Sequence, residues 1–323
     1  MAPPIVRKLA HDEPVVSVHW LSANIGEPDL KVLDASWYMP HEERNPLQEF
    51  RVRLLSGFYI IFLIFATSCW CLTFLGAFFF DIDAISDKNT NLPHMLPSEE
   101  AFAAAVSALG IAIMTGWLMF RAFGHSNVWV LDGGLPLWRA SGYDVESSTS
   151  DDAILKSTAA SDAVEKVYQG LSVGPTTFEA KLQPHLVWTL EQIQKNIQEQ
   201  EYQQVDARSK GRFDGVAPEP RKGIKSGHIP GSKCIPFGEV LDTSQTLLPQ
   251  RDLAKRIEDE GISLNRPIVA SCGTGVTACI LALGLYRLGM ADVPVYDGSW
   301  TEWALTHARS TDLPGVISDS RLG

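Results

Sequence analysis

Short apolar runs that end on an aspartate recur along the chain and read as strands. Val32-Leu33-Asp34-Ala35 is echoed by Gln204-Val205-Asp206-Ala207, and Val18-His19-Trp20-Leu21 by Val187-Trp188-Thr189-Leu190, where each of the last two opens an amphipathic stretch. The segment from Phe120 to Gly134 matches Leu285 to Ser299 at a constant offset of 165 residues. Both copies carry a helix ending at glycine, a strand, Asp-Gly, and a tryptophan six residues after the aspartate (Asp132 and Trp138, Asp297 and Trp303). Strands alternating with helices at this spacing predict two α/β domains with mostly parallel sheets. Ser147 to Gly170, rich in Ser, Ala and Asp and without strong apolar periodicity, reads as a linker. The predicted organisation is a first domain over residues 1–146, a linker over 147–175, a second domain over 176–311 and a tail over 312–323.

The two copies disagree at two places. From Gly261 to the Leu285 helix the second half takes 24 residues, whereas Gly110 to Phe120 takes 10. The first half is therefore 14 short there, lacking the counterpart of the buried strand Pro267 to Ser271, its following loop and much of a helix. Conversely, Asp34 to Gly76 takes 42 residues where Asp206 to Gly231 takes 25, an excess of 17. That excess coincides with Leu54 to Phe80, 27 residues without a charge, 21 of them apolar, holding seven of the 14 phenylalanines. Alone, this run passes the length test for a membrane span. It interrupts a domain whose two flanks belong together, and a span would place those flanks on opposite sides of a bilayer, so a membrane location is not expected. Losing a central parallel strand removes ladder partners from two neighbours and predicts reduced solubility and activity.

Composition sharpens this picture. With 323 residues and 45% hydrophobic side chains the chain can bury two cores, which excludes disorder and disulfide-stapled mini-proteins. Its 38 acidic against 27 basic side chains leave a net charge of −11 with no Lys/Arg-rich stretch, which argues against nucleic acid as a partner. The N-terminal residues lack a secretory apolar core and show no Arg/Ser-rich amphipathic stretch, so cytoplasm is the expectation and mitochondria the alternative.

The chemistry concentrates in Cys272-Gly273-Thr274-Gly275-Val276-Thr277-Ala278, between a predicted strand and the helix Cys279 to Leu288. A cysteine on a Gly-rich turn entering a helix meets backbone N–H groups and the positive end of the helix dipole, which favour the thiolate. The bland alternative is a buried structural cysteine. Cys-x5-Arg phosphatases need an arginine six residues on, where Ala278 stands, so phosphoryl transfer is disfavoured. Sulfur transfer through a persulfide remains.

This motif, with Asp206-Ala207-Arg208, Gly211-Arg212-Phe213, Pro218-Glu219-Pro220-Arg221, Gly227-His228-Ile229-Pro230-Gly231 and Asp297-Gly298-Ser299-Trp300, resembles the two-domain rhodanese superfamily. Within it the chain is most similar to 3-mercaptopyruvate sulfurtransferases of the plant type. The resemblance spans residues 185–310 and, in the first half, 14–50, 78–109 and 119–145. It implies tandem rhodanese-like α/β domains, a catalytic second domain and a non-catalytic first one, here disrupted. The two departures are read as altered splicing or an imperfect gene model.

The resemblance also implies the residue roles. Cys272 takes sulfur from 3-mercaptopyruvate or thiosulfate and passes it to a thiol acceptor such as thioredoxin, or to cyanide. Arg212 and Arg221 bind the substrate carboxylate, and Gly273, Gly275, Val276 and Thr277 line the binding loop. Thr274 acts with His94 and Asp83 of the first domain, a hydroxyl, imidazole and carboxylate relay with a clear physical rationale. From sequence alone, His94 also suits a surface position before Met-Leu-Pro. No cofactor and no metal are expected, since Cys69 and Cys71 have no further ligand at suitable spacing. A monomer is expected. An impaired isoform with a binding role and a membrane-tethered enzyme are the alternatives. Arg208 reads as a structural partner of a nearby carboxylate, His228 as a turn residue, Cys234 and Cys279 as core. Trp300 and Trp303 suit either a pocket wall or the core.

Overall fold

The computed structural model describes residues 13–27, 30–35, 42, 77–109, 117–144 and 151–307. Residues 54–76 of the apolar run, with Cys69 and Cys71, lie outside these, as do Gly110, residues 112–116 and the tail 312–323.

The second half shows what the sequence pattern specifies when uninterrupted. It runs β5 (Val187–Trp188), α6 (Leu190–Glu199), β6 (Gln203–Asp206), α7 (Lys210–Phe213), β7 (Lys233–Cys234), α8 (Gln250–Asp259), β8 (Ile268–Ser271), α9 (Ala278–Arg287), β9 (Val295–Tyr296) and α10 (Ser299–His307). The strands form one five-stranded parallel sheet in the order β5-β9-β8-β6-β7. β8 is buried along its whole length at the centre of the sheet, consistent with its unbroken run Ile-Val-Ala-Ser. α6 starts at a capping box, with the Thr189 amide donating to Gln192 Oε1 at 2.9 Å.

Among the described residues the first half repeats the same pattern of elements with one strand fewer. It contains β1 (Val15–Val16), α1 (Val18–Asn24), β2 (Leu33–Asp34), β3 (Phe78–Phe79), α2 (Glu99–Ala108), α3 (Trp117–Ala122), β4 (Val130–Leu131), α4 (Gly134–Ala140) and α5 (Asp151–Tyr168). Its strands form two separate parallel pairs, β1-β4 and β2-β3. By position in the repeat these correspond to β5-β9 and β6-β7, and the counterpart of β8, which should join them, is missing among the described residues. The 14-residue deficit in the sequence falls where that joining strand stands in the second half, and among the described residues β2 and β4 keep one ladder partner each.

The end of the apolar run is core. Ala77, Phe79 and Phe80 are buried, and β3 pairs with β2 in the register Leu33↔Phe78. Among the described residues no helix is long and apolar enough to cross a membrane.

The linker expectation does not hold for residues 151–168. They form α5, which packs on α2 and β3 of the first half, burying Ala153, Ala160, Ala163 and Val164. Ser157 Oγ accepts the Phe79 amide at 2.9 Å and donates to Ala153 O at 2.7 Å. Small alanines let the helix approach closely but leave too little apolar contrast for a periodic signal.

One apolar cluster runs through both halves, joining Phe102, Phe120 and Phe123 to Leu253, Leu281 and Leu285. Phe102 stacks on Phe123 with centroids 4.3 Å apart, and Trp117 meets Tyr286 edge-on at 5.3 Å. The Arg121 guanidinium lies 4.9 Å from the Trp117 ring and 4.3 Å from that of Tyr286, and donates to Ala291 O at 3.1 Å. The halves therefore share a core, and the divided sheet is braced from the second half.

A strand with one ladder partner opens more readily than one with two. Amide hydrogen exchange, read by mass spectrometry, is expected to be faster at Leu33, Asp34, Val130 and Leu131 than at Val269 and Ala270.

Candidate active site

The loop 272–277 leaves the C-terminal end of β8 and enters α9. Parallel strands leave their following loops at one edge of the sheet, where ligands of open α/β folds bind. Cys272 is buried, and its backbone is held by the turn after β9. The Cys272 amide donates to Ser299 Oγ at 3.2 Å, the Trp300 amide donates to Cys272 O at 2.9 Å, and Thr301 donates to Gly273 O through both its amide and its hydroxyl. Ser299 has a left-handed backbone, φ 49°, and its Oγ donates to Tyr296 O at 2.7 Å. Among the described residues nothing accepts a hydrogen bond from the amides of residues 273–277. Those donors border Cys272 at the N-terminus of α9, an arrangement suited to an anion or a polarised sulfur. Gly275 has φ 84°, and a Cβ there would lie 3.4 Å from Asp297 O.

Thr274, His94 and Asp83 come together across the two halves. His94 Nδ1 lies 3.0 Å from Thr274 Oγ1, and His94 Nε2 lies 2.8 Å from Asp83 Oδ1. The histidine side chain is 4% exposed and that of Asp83 60%, so the imidazole is enclosed while its carboxylate partner faces solvent. The surface alternative for His94 is therefore excluded. A carboxylate on one ring nitrogen fixes which nitrogen carries the proton and supports the imidazolium if it forms.

The cationic side is organised by a residue that sequence reasoning did not single out. Glu219 accepts from Arg212 Nε at 3.1 Å and Nη2 at 2.5 Å, and from Arg208 Nη1 at 2.8 Å. Arg208 is fully buried. It forks onto Asp206 (Nη2 to Oδ2 2.6 Å), donates to Gly227 O at 2.7 Å and lies over the Trp300 ring at 4.6 Å. Arg208 is thus a structural counter-ion, as its place two residues after Asp206 implied. Trp300 and Trp303 belong to the core. Arg212 reaches the cysteine loop, since a Cβ on Gly273 would come 3.0 Å from its Nη2. Arg221 is half-buried beside Arg212, Asp83, Glu219 and Cys272. Burial pushes its pKa down, Asp83 and Cys272 pull it up, and Arg212 adds to the fall. An arginine keeps its charge through such shifts, so Arg221 adds a second positive charge acting on Cys272.

The remaining candidates sit as side features. His228 stacks on Phe213 at 4.2 Å with Nδ1 3.0 Å from Phe213 O. Cys234 is pushed up to about 12 by burial, and burial also raises Cys279 strongly, which disfavours the thiolate at both. Ser299 and Asp297 were also missed as site residues, although both lie in the repeated Asp-Gly turn. Asp297 Oδ2 accepts the Leu96 amide, two residues after His94, at 3.0 Å.

A family model described as rhodanese-like domain matches residues 189–306. The chain is 62% identical to the mitochondrial thiosulfate/3-mercaptopyruvate sulfurtransferase 1 of Arabidopsis thaliana, over 94% of this chain and 78% of that protein. It is 36% identical to human 3-mercaptopyruvate sulfurtransferase, over 95% of this chain and 96% of the relative. Among solved structures, a 3-mercaptopyruvate sulfotransferase from Escherichia coli matches with a TM-score of 0.69 at 28% identity, covering 89% of this chain and 99% of that one.

Two outcomes test this account of the site. Arg208→Ala would leave the Asp206 carboxylate buried without its counter-ion and Glu219 with Arg212 alone, and urea unfolding is expected to show a loss of about 3–5 kcal/mol. Asp297 is pushed up to about 7, first by burial, with Glu302 and Asp87 adding and the Leu96 amide opposing. A carboxyl raised above its unfolded value of 3.8 contributes stability that is present at low pH and lost as pH rises through about 7. The Asp297→Asn variant is therefore expected to gain in melting temperature relative to wild type between about pH 5 and about pH 8.

Proposed function

The chain belongs to the rhodanese-type thiosulfate/3-mercaptopyruvate sulfurtransferases, and from that membership we propose a reaction centred on Cys272 with 3-mercaptopyruvate as donor. It is a sulfurtransferase. The observation that carries the residue assignment is the contact of His94 with both Thr274 and Asp83 beside the cysteine loop.

The Cys272 thiolate attacks the sulfur of 3-mercaptopyruvate. A new S–S bond forms, the C–S bond breaks with its electron pair going to carbon, and pyruvate enolate departs, leaving a Cys272 persulfide. The enolate carbon takes a proton from the Thr274 hydroxyl, the imidazolium form of His94, its charge supported by Asp83, replaces that proton through Nδ1, and the neutral ring is reprotonated from solvent before the next turnover. Arg212 and Arg221 hold the substrate carboxylate, as a planar guanidinium fork suits it. For Arg212 this means exchanging part of its ion pair with Glu219 for one with the substrate. The open amides of 273–277 receive the outer sulfur of the persulfide. A thiolate acceptor such as that of thioredoxin, or cyanide, then attacks this sulfur and returns Cys272 as thiolate. Thiosulfate, which needs no enolate protonation, serves as a second donor independent of His94. The mitochondrial designation of the Arabidopsis thaliana relative favours a mitochondrial site of action over a cytoplasmic one.

Pyruvate release and persulfide mass, measured on the same samples, check this reading. Cys272→Ser is expected to abolish both. His94→Ala is expected to cut turnover of 3-mercaptopyruvate by about 100-fold while thiosulfate turnover changes little. Arg212→Ala is expected to raise KM for 3-mercaptopyruvate by at least about tenfold. Equal losses with both donors in His94→Ala would overturn the proton path.

A further inference from the structure

The repeated Asp-Gly turn makes the same bond twice, in opposite directions across the seam. Asp297 Oδ2, after β9, accepts the amide of Leu96 in the first half at 3.0 Å. Asp132, its counterpart after β4, accepts the amide of Leu247 in the second half through Oδ1 at 2.8 Å. The acceptor loops are equivalent as well. Leu96 and Leu247 stand three residues before α2 and α8, and each is preceded at two residues by a non-glycine with left-handed backbone, His94 at φ 63° and Gln245 at φ 61°. The clasp is therefore a symmetric feature of the repeat, and only its Asp297 copy lies beside a reactive centre.

We propose that Asp297 is a positioning residue for sulfur transfer: by gripping the Leu96 amide it holds the His94 loop of the first half on Thr274 of the second. This rests on the reading that His94 and Thr274 deliver a proton to the departing enolate. The turn that carries Asp297 also secures the cysteine loop, through Ser299 on the Cys272 amide and Trp300 on the Cys272 carbonyl. One turn thus sets the positions of nucleophile and proton donor together. Within the first half the His94 loop is tied by the Asp87 amide on Met95 O at 2.9 Å and the Ser98 amide on Tyr168 Oη at 2.8 Å. These bonds shape the loop, and the Asp297 bond docks it. Left-handed backbone at a histidine is strained, so the loop needs fixing on both sides to keep the ring aimed at Thr274.

The test compares Asp297→Ala with Asp132→Ala, which removes the matching clasp far from the cysteine. Melting temperature, kcat and KM for 3-mercaptopyruvate, and the His94 imidazole resonances by NMR are measured on each. Asp297→Ala is expected to lower kcat by at least about tenfold with KM within about twofold, and to shift the His94 resonances. Asp297→Asn, whose amide oxygen still accepts the Leu96 bond, is expected to retain most of kcat. Asp132→Ala is expected to lose melting temperature but keep kcat and the His94 resonances. In Asp297→Ala/His94→Ala the kcat loss is expected to equal that of His94→Ala alone. Unmoved His94 resonances in Asp297→Ala, or equal kcat losses in the two clasp variants, would overturn the proposal. If instead the resonances move while His94→Ala leaves kcat unchanged, the positioning holds for the loop and the proton path fails.

Discussion

The site depends on one contact that no local segment can make, the approach of His94 to Thr274 across 180 residues of chain. Each partner is prepared separately. Thr274 sits in a turn between the central strand of a five-stranded sheet and a helix, and His94 in a strained loop before α2. Docking the two halves turns a cysteine loop and a buried imidazole into one chemical unit. The cost of misplacing such groups is steep, because proton transfer requires hydrogen-bond distance in the reacting geometry.

The same dependence explains how a first half with a divided sheet can still contribute to the site. β1-β4 and β2-β3 have no shared central strand among the described residues, and neither ribbon would be stable alone. Both are covered by a cluster of aromatic and aliphatic side chains that continues into the second half, and α5 closes β3 on the remaining side. The first half is thus held in part by its neighbour. The His94 loop lies where the first half meets the second, with His94 on Thr274 and Leu96 on Asp297.

Electrostatics on the catalytic side follow a parallel logic. Arg208, buried and saturated by Asp206, Glu219 and Gly227 O, makes a rigid base. Glu219 spans from it to Arg212 and so aims a cation at the cysteine loop without fixing it fully. A guanidinium already paired is pre-organised, and under the proposed function a substrate carboxylate would replace a like group without having to order a free side chain.

Much of this was legible in the sequence because it is local. The strand, turn and helix around Cys272 follow from an apolar run, two glycines and a helical stretch. The Asp206 and Arg208 pair is two residues apart, and the missing strand showed as a 14-residue deficit between repeats. The α5 helix escaped because its buried face is built of alanines, which carry little apolar contrast. Glu219 and Asp297 escaped because their partners are an arginine set by folding and a backbone amide, whose side chain, Leu96, carries no polar signal. The sequence by itself therefore determined which elements form and which side chains can do chemistry. Only the tertiary structure decided which of them meet, since the bonds joining Asp297 to Leu96 and His94 to Thr274 exist only once a shared apolar core has pressed the two halves together.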